Sequence, residues 1–219
     1  MKQSIILRMD MGNSKRTEKL RRQYRNILRR FSNAGNYDGY FIGKVSLEFN
    51  MAADAGKMSE NQAHIIKSRE NYAELAAGGD FADGYLSICM YLMKPVSKAT
   101  AQSNSGVQNK CSSQNKSGSQ NKFVAVNVYT QDMIFSKSEI LSFVSDTGDF
   151  NPIHQGEHPV VPGLLIMEKL ILDLMHSFTI RFRTPLYADE PVRLVPHKDS
   201  GRMDGYKCSD GVELFSCKY

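Results

Sequence analysis

Asp149 and His154 stand five residues apart, with Asn151-Pro152 between them. An Asn-Pro step forces a turn, and such a turn can aim a carboxylate and an imidazole at one point. Together the two groups can hold a water, take a proton from it, or return a proton to a leaving hydroxide. Downstream, Pro162-Gly163 opens an apolar helical run. Bare backbone N–H groups and the positive dipole end at such a helix start suit a developing oxyanion or a thioester carbonyl. The same residues allow a plainer reading: a surface turn before a core helix, with His154 hydrogen-bonded locally. Spacing alone leaves both open.

Several elements must position this segment. Phe123 to Tyr129 is strand-like, and Ser136 with Glu139 three residues on predicts a capped short helix to Val144. From Gly163 to Met175 the run is hydrophobic nearly all round, as a central helix should be. Glu168 lies inside it, and an ionisable group on so apolar a helix is costly unless paired or functional. Strands are expected at 178–187, 191–195, 206–209 and 212–218. A sheet wrapped around a buried helix satisfies that order.

The first half reads helix, strand, helix, strand. Residues 14–31 carry eight Lys and Arg against Glu18 alone, with Leu20, Tyr24, Ile27, Leu28 and Phe31 at helical spacing. This stretch accounts for the whole net charge of +5 and leaves the remainder slightly acidic. Its basic face could meet nucleic acid, anionic lipid or a phosphate-bearing ligand. No nucleic-acid motif sits beside it, so a solvated face on a helix docked by its apolar stripe is the preferred reading. Tyr37 to Phe49 and Tyr85 to Val96 predict strands. The capping-box pattern Ser59-Glu60-Asn61-Gln62 predicts a helix that runs until Gly78-Gly79 and carries a roleless His64.

Residues 99–122 differ. Gln-Asn-Lys recurs at 108, 114 and 120 in a run almost free of apolar side chains, which reads as a loop or linker. The domain reading that follows is 1–98, the linker 99–122, and 123–219. No apolar stretch reaches the eighteen or so residues of a membrane span. The charged opening is too short for a secretory signal, so a soluble, cytoplasmic protein is expected. Cys89, Cys111, Cys208 and Cys217 show no metal spacing. A tight hairpin at Asp210-Gly211 would set Cys208 opposite Glu213, not Cys217, so reduced thiols are expected.

The run Phe135 to His154, with Asp149, Asn151, Pro152 and His154 in a D-x-N-P-x-H arrangement, resembles the start of MaoC-like hydratase/dehydratases, including the (R)-specific enoyl-CoA hydratases. Arg181 to Val192 is similar to the strand-turn-strand that follows the central helix in that family. The resemblance spans about residues 123–219 and implies an α+β hotdog fold, an antiparallel sheet wrapped around a central helix. A double hotdog with a degenerate N-terminal half is the alternative arrangement. His154, Pro162-Gly163 and Glu168 are also similar in spacing to β-hydroxyacyl-ACP dehydratases, whose histidine and helix glutamate form the catalytic pair. Two features depart from the first pattern: a short loop from His154 to Gly163, and Pro162 where a histidine is common.

The resemblance implies reversible hydration of trans-2-enoyl thioesters. Asp149 and His154 would activate water while the Gly163 N–H polarises the carbonyl. Asn151 and Glu168 are further candidates for catalysis or substrate binding, whereas His158 is read as a solvated loop residue. No metal or redox cofactor is called for, because coenzyme A or acyl carrier protein delivers the acyl group. The basic helix could then draw an acidic carrier protein or CoA phosphates. A homodimer is expected unless the chain is a double hotdog. A hotdog thioesterase and a non-catalytic acyl-CoA-binding module, its basic helix on DNA or a partner, are the competing functions.

Overall fold

The basic stretch does form a helix, α1 (Ser14–Ser32), and all five apolar residues at helical spacing are buried along it. The computed structural model describes residues 14–32, 34, 37, 40–50, 62–94, 132–174 and 176–219. The low-complexity run, the strand expected at 123–129 and both proposed domain boundaries lie outside them. After α1 come β1 (Phe41–Asn50), β2 (His64–Arg69), β3 (Tyr72–Phe81) and β4 (Gly84–Met93). The second half supplies β5 (Asp132–Met133), α2 (Lys137–Thr147), α3 (Gly163–Leu174), β6 (Phe178–Phe182), β7 (Val192–His197), β8 (Arg202–Lys207) and β9 (Glu213–Lys218). None of these helices is long and apolar enough to cross a membrane.

The nine strands of the described residues form one antiparallel sheet in the order β2-β3-β4-β1-β6-β9-β8-β7-β5. One topology occurs twice. A helix (α1 or α3) leads into a strand at the centre of the sheet (β1 or β6), then into a three-stranded meander (β2–β4 or β7–β9). The last meander strand folds back beside the central one. At the join β1 pairs with β6, where Val45 opposes Ile180 and Leu47 opposes Phe178, all four buried. Most apolar side chains of α3 are buried, and the buried side chains of both halves form one core, as in an α+β hotdog arrangement.

The helix expected from the capping box to Gly78-Gly79 is instead the β2–β3 hairpin. Arg69 pairs with Tyr72 across Glu70-Asn71, and the buried Ala73, Leu75 and Ala77 alternate along β3. Alternation and helical spacing are hard to separate in so short a run, and pairing with β4 over the whole of β3 decides the matter. The two glycines continue the strand. A Cβ at Gly78 would fall 2.5 Å from the Tyr85 hydroxyl, and one at Gly79 would meet Ile27 and Arg30 of α1. They are where the helix comes down onto the sheet. His64 is an exposed β2 residue.

Two further boundaries move. The strand expected at 178–187 ends at Phe182, and the one at 206–209 is β8, ending at Lys207. A bulge after Gly205 and a turn closed by Lys207 and Val212, with Gly211 at φ 71°, place Cys208 in the turn. Tyr206, not Cys208, therefore faces Glu213, while Cys217 faces Met203. Cys89, Cys208 and Cys217 are free thiols.

Nor is the basic face of α1 merely solvated. Arg25 is 12 % exposed and donates through Nε and Nη2 to Glu168 of α3, at 2.7 and 2.8 Å. Its Nη1 reaches Asp146 of α2 at 2.6 Å. Arg21 adds an Nε contact to Glu168 at 3.1 Å, Arg29 bonds the Asp146 carbonyl, and Arg30 bonds the Gly78 carbonyl. Burial works against the charge on Arg25, but the hydrogen bonds and field of Glu168, then of Asp146, hold its pKa above the usual value. One helix of the first half is thereby bonded to both helices of the second.

Two measurements check this packing. Removing one partner of a buried ion pair leaves the other charge uncompensated, at a cost of about 3–5 kcal/mol. Arg21 remains on Glu168, so Arg25→Met should fall near the low end of that range in urea unfolding. Adding Glu168→Leu should recover most of the loss. A loss no larger than that of Arg22→Met, at an exposed site, would mean the network carries little. Separately, burial and then the field of Asp204 push the Cys217 thiol up to about 12. Since the thiolate is the reactive form and is scarce below that value, folded protein at pH 8 should keep Cys217 unalkylated, with modification only after denaturation. Peptide mapping reads this directly.

Candidate active site

Ser136 caps α2 as expected, its hydroxyl accepting from the Glu139 N–H at 3.2 Å. The helix ends at Gly148, whose φ of 72° is the left-handed conformation that glycine adopts without strain. The Gly148 and Asp149 N–H groups both donate to the Val144 carbonyl. That double closure turns the chain sharply and sets Asp149 at the helix end. A relay of short side-chain turns follows. Asp149 Oδ1 accepts from the Asn151 N–H at 3.2 Å, and Asn151 Oδ1 from the Ile153 N–H at 3.3 Å. The His154 N–H then donates to the Asn151 carbonyl within a single 3-10 turn, Pro152–His154.

This relay brings the acid and the imidazole together, with His154 Nε2 at 3.5 Å from Asp149 Oδ2. The histidine side chain is 9 % exposed and the aspartate 30 %, so the pair is reached from the carboxylate side. His154 Nδ1 lies 2.7 Å from the Val160 carbonyl. A carbonyl can only accept, so Nδ1 carries the hydrogen and Nε2 of the neutral ring is an acceptor. Two acceptors then face each other at slightly more than hydrogen-bond distance. A water donating one hydrogen to each satisfies both. The local bond of the plainer reading is therefore present, and it fixes the ring in the tautomer that general-base chemistry requires.

The loop carrying Val160 is itself braced. Val160 N–H donates to the Ile153 carbonyl, Val161 N–H to that of Leu186, and Ala188 N–H to that of Pro159. The segment Leu186–Ala188 thus clamps the turn that aims His154. Sequence reading missed this contribution, since a backbone carbonyl leaves no residue-type signal.

Gly163 begins α3, at the far end of that loop. The Pro162 carbonyl accepts from Leu165 and Ile166, and the leading N–H groups of the first turn have no intrahelical acceptor. A Cβ at Gly163 would lie 2.7 Å from the Phe182 ring, so glycine lets the helix start this close to β6 without displacing that ring. Tyr24 of α1 donates to the Leu164 carbonyl at 3.0 Å. Burial, and then the field of Glu168, raise the Tyr24 pKa well above the usual phenol value, keeping it a donor. Glu168, 2 % exposed, gives both oxygens to Arg21 and Arg25, and His158 is exposed. Arg21 and Arg25 are the partners sequence reading overlooked. Their one-turn spacing opposite a lone buried glutamate was the available signal. Among the described residues no three His, Cys, Asp or Glu side chains converge as a metal would need.

No family model and no curated protein matches the sequence. Solved structures do. HtdX of Mycobacterium tuberculosis superposes with a TM-score of 0.54 at 10% identity, covering 95% of this chain and 94% of that one. A MaoC-like dehydratase from Phytophthora capsici gives 0.47 at 12% identity, over 85% and 70%. An acyl-ACP thioesterase from Bacteroides thetaiotaomicron gives 0.41 at 10%, over 81% and 74%. The near full-length match to HtdX, with the single antiparallel sheet and the buried α3, gives the chain an α+β hotdog fold.

Proposed function

We propose that this protein reversibly hydrates trans-2-enoyl thioesters, adding water across the double bond in the syn sense. The observation that carries the reading is the Asp149–His154 pair: Nε2 and Oδ2 sit 3.5 Å apart, with the imidazole tautomer fixed by the Val160 carbonyl. A water bound between them is polarised by two acceptors at once. As its oxygen bonds to the β-carbon, one proton passes to the pair and is returned to the α-carbon. Charge that builds on the thioester carbonyl oxygen is met by the Gly163 N–H and the positive end of α3. In the dehydration direction the same groups take the α-proton and protonate the departing hydroxyl. Asn151 serves by holding the turn between the two catalytic side chains.

The repeated topology supports a further part of the reading. A helix, a central strand and a meander occur in each half of the sheet. The chain then supplies by itself the two-half unit that a single hotdog would need a second copy to complete. Acyl groups would arrive on coenzyme A or a carrier protein, without a metal or redox cofactor, in a cytoplasmic setting of fatty acid metabolism.

The test is hydration of crotonyl-CoA, followed as loss of enoyl-thioester absorbance, beside Asp149→Asn and His154→Ala. General acid–base groups contribute about 10²–10⁴-fold, so each variant should lose that much kcat while keeping the fold. Free thiol release in place of hydration would convert the assignment to a thioesterase. No turnover on crotonyl-CoA, on longer enoyl-CoA or on an enoyl carrier protein would leave a binding module and overturn the reading.

A further inference from the structure

Along α1, Arg21, Arg22, Arg25 and Arg29 line a cleft of about 280 Å³, completed by Glu18, Asn26 and Asp146. The cleft is lined mostly by polar groups, and four guanidinium groups face two wall carboxylates, with Glu168 behind them. How the donors are spent matters more than that balance. Arg25 is consumed, with all three nitrogens given to Glu168 and Asp146. Arg21 uses Nε on Glu168 and Nη1 on Glu18, Arg22 uses only Nε, on Glu18, and Arg29 uses Nε on the Asp146 carbonyl and Nη1 on Asn26. Among the described residues this leaves Arg21 Nη2, both Arg22 Nη atoms and Arg29 Nη2 without a protein acceptor. The acids hold the guanidinium stems and leave the outer N–H groups to the cleft. Such a pre-oriented fork suits tetrahedral oxyanions, above all phosphate.

The cleft adjoins the site. Asp146 sits in the last turn of α2, where Arg29 of α1 bonds its carbonyl, and Gly148 and Asp149 follow after Thr147. A Cβ at Gly148 would fall 3.3 Å from Ser32, so the end of α1 lies against that turn. We infer that the arginine cleft of α1 binds the phosphate groups of the coenzyme A that carries the acyl chain. The inference rests on the thioester reading for its ligand, but its chemistry is that of the cleft alone. A concave site of this size takes phosphate groups more readily than it takes the surface of a folded carrier protein.

The variants are Arg22→Gln and Arg29→Gln, singly and together; both residues lie outside the Asp149–His154 machinery, and their side chains are exposed. Calorimetry measures binding of coenzyme A, 3′,5′-ADP and pantetheine to the full chain. Turnover is followed in parallel on crotonyl-CoA and crotonyl-pantetheine. The expected result is a roughly tenfold or greater loss of affinity for coenzyme A and 3′,5′-ADP in the double variant, with a shallower salt dependence. KM for crotonyl-CoA should rise by the same factor at unchanged kcat, and crotonyl-pantetheine, which has no phosphate, should be unaffected. If wild type binds coenzyme A and the variants bind it equally well, the cleft assignment falls while the thioester reading stands. Loss confined to a crotonyl carrier protein would also overturn it, in favour of a protein-docking surface. If 3′,5′-ADP binds in a variant-sensitive way but no enoyl thioester is turned over, the cleft is a phosphate site and the thioester reading is what fails.

Discussion

A carboxylate on an apolar, buried helix has to be neutralised, and Glu168 meets that demand by drawing α1 across the molecule. The desolvation of Glu168 is offset only by a close, bidentate cation, which Arg25 supplies from one turn beyond Arg21. The consequence is geometric. Arg25 also holds Asp146, so one guanidinium fixes α1, α3 and the end of α2 in a single arrangement. Its stacking on the Phe143 ring, 5.4 Å to the centroid, adds a second link to α2. Gly148 and Asp149 leave α2 one residue beyond the aspartate so held. The orientation of the acid therefore depends on a charge pair whose two members lie 143 residues apart in the chain.

The imidazole is fixed by different means. His154 takes its tautomer from a backbone carbonyl, and that carbonyl from a loop laced to Leu186–Ala188. Side-chain turns are cheap to make from Asp and Asn, and they set the spacing of acid and base within one short segment. The acid is thus placed by long-range electrostatics and the base by local hydrogen bonds. The two systems meet through the Asn151 relay and across the 3.5 Å gap between Asp149 and His154.

This division explains what was legible in the sequence. Asp149, Asn151, Pro152 and His154 could be read because their job is local, and the Ser136 cap and the apolar α3 because both are periodic or positional signals. Val160 could not, since it acts through its main chain. Arg21 and Arg25 were seen as charge but not as partners, because pairing across the fold has no local pattern. The β2–β3 hairpin was mistaken for a helix where alanines and a plausible cap satisfied both periods, and only the neighbouring strand distinguishes them. Gly78 and Gly79 looked like a stop signal, whereas their use is the close approach of α1 and Tyr85 to the sheet.

The repeated topology gives these facts a common sense. In each half one helix, α1 or α3, leads into the central strand, but the two have opposite characters. That of the second half is largely apolar and buries Glu168; that of the first is arginine-rich with an apolar stripe. Two apolar helices would have packed together without needing a particular register, because hydrophobic contact is non-directional. A carboxylate against two arginines selects one. Breaking the likeness between the halves in this way fixes α3 relative to α1 and leaves the outer arginines available beside the site. The same asymmetry that makes the first half hard to recognise is then what allows it to hold the second in working geometry.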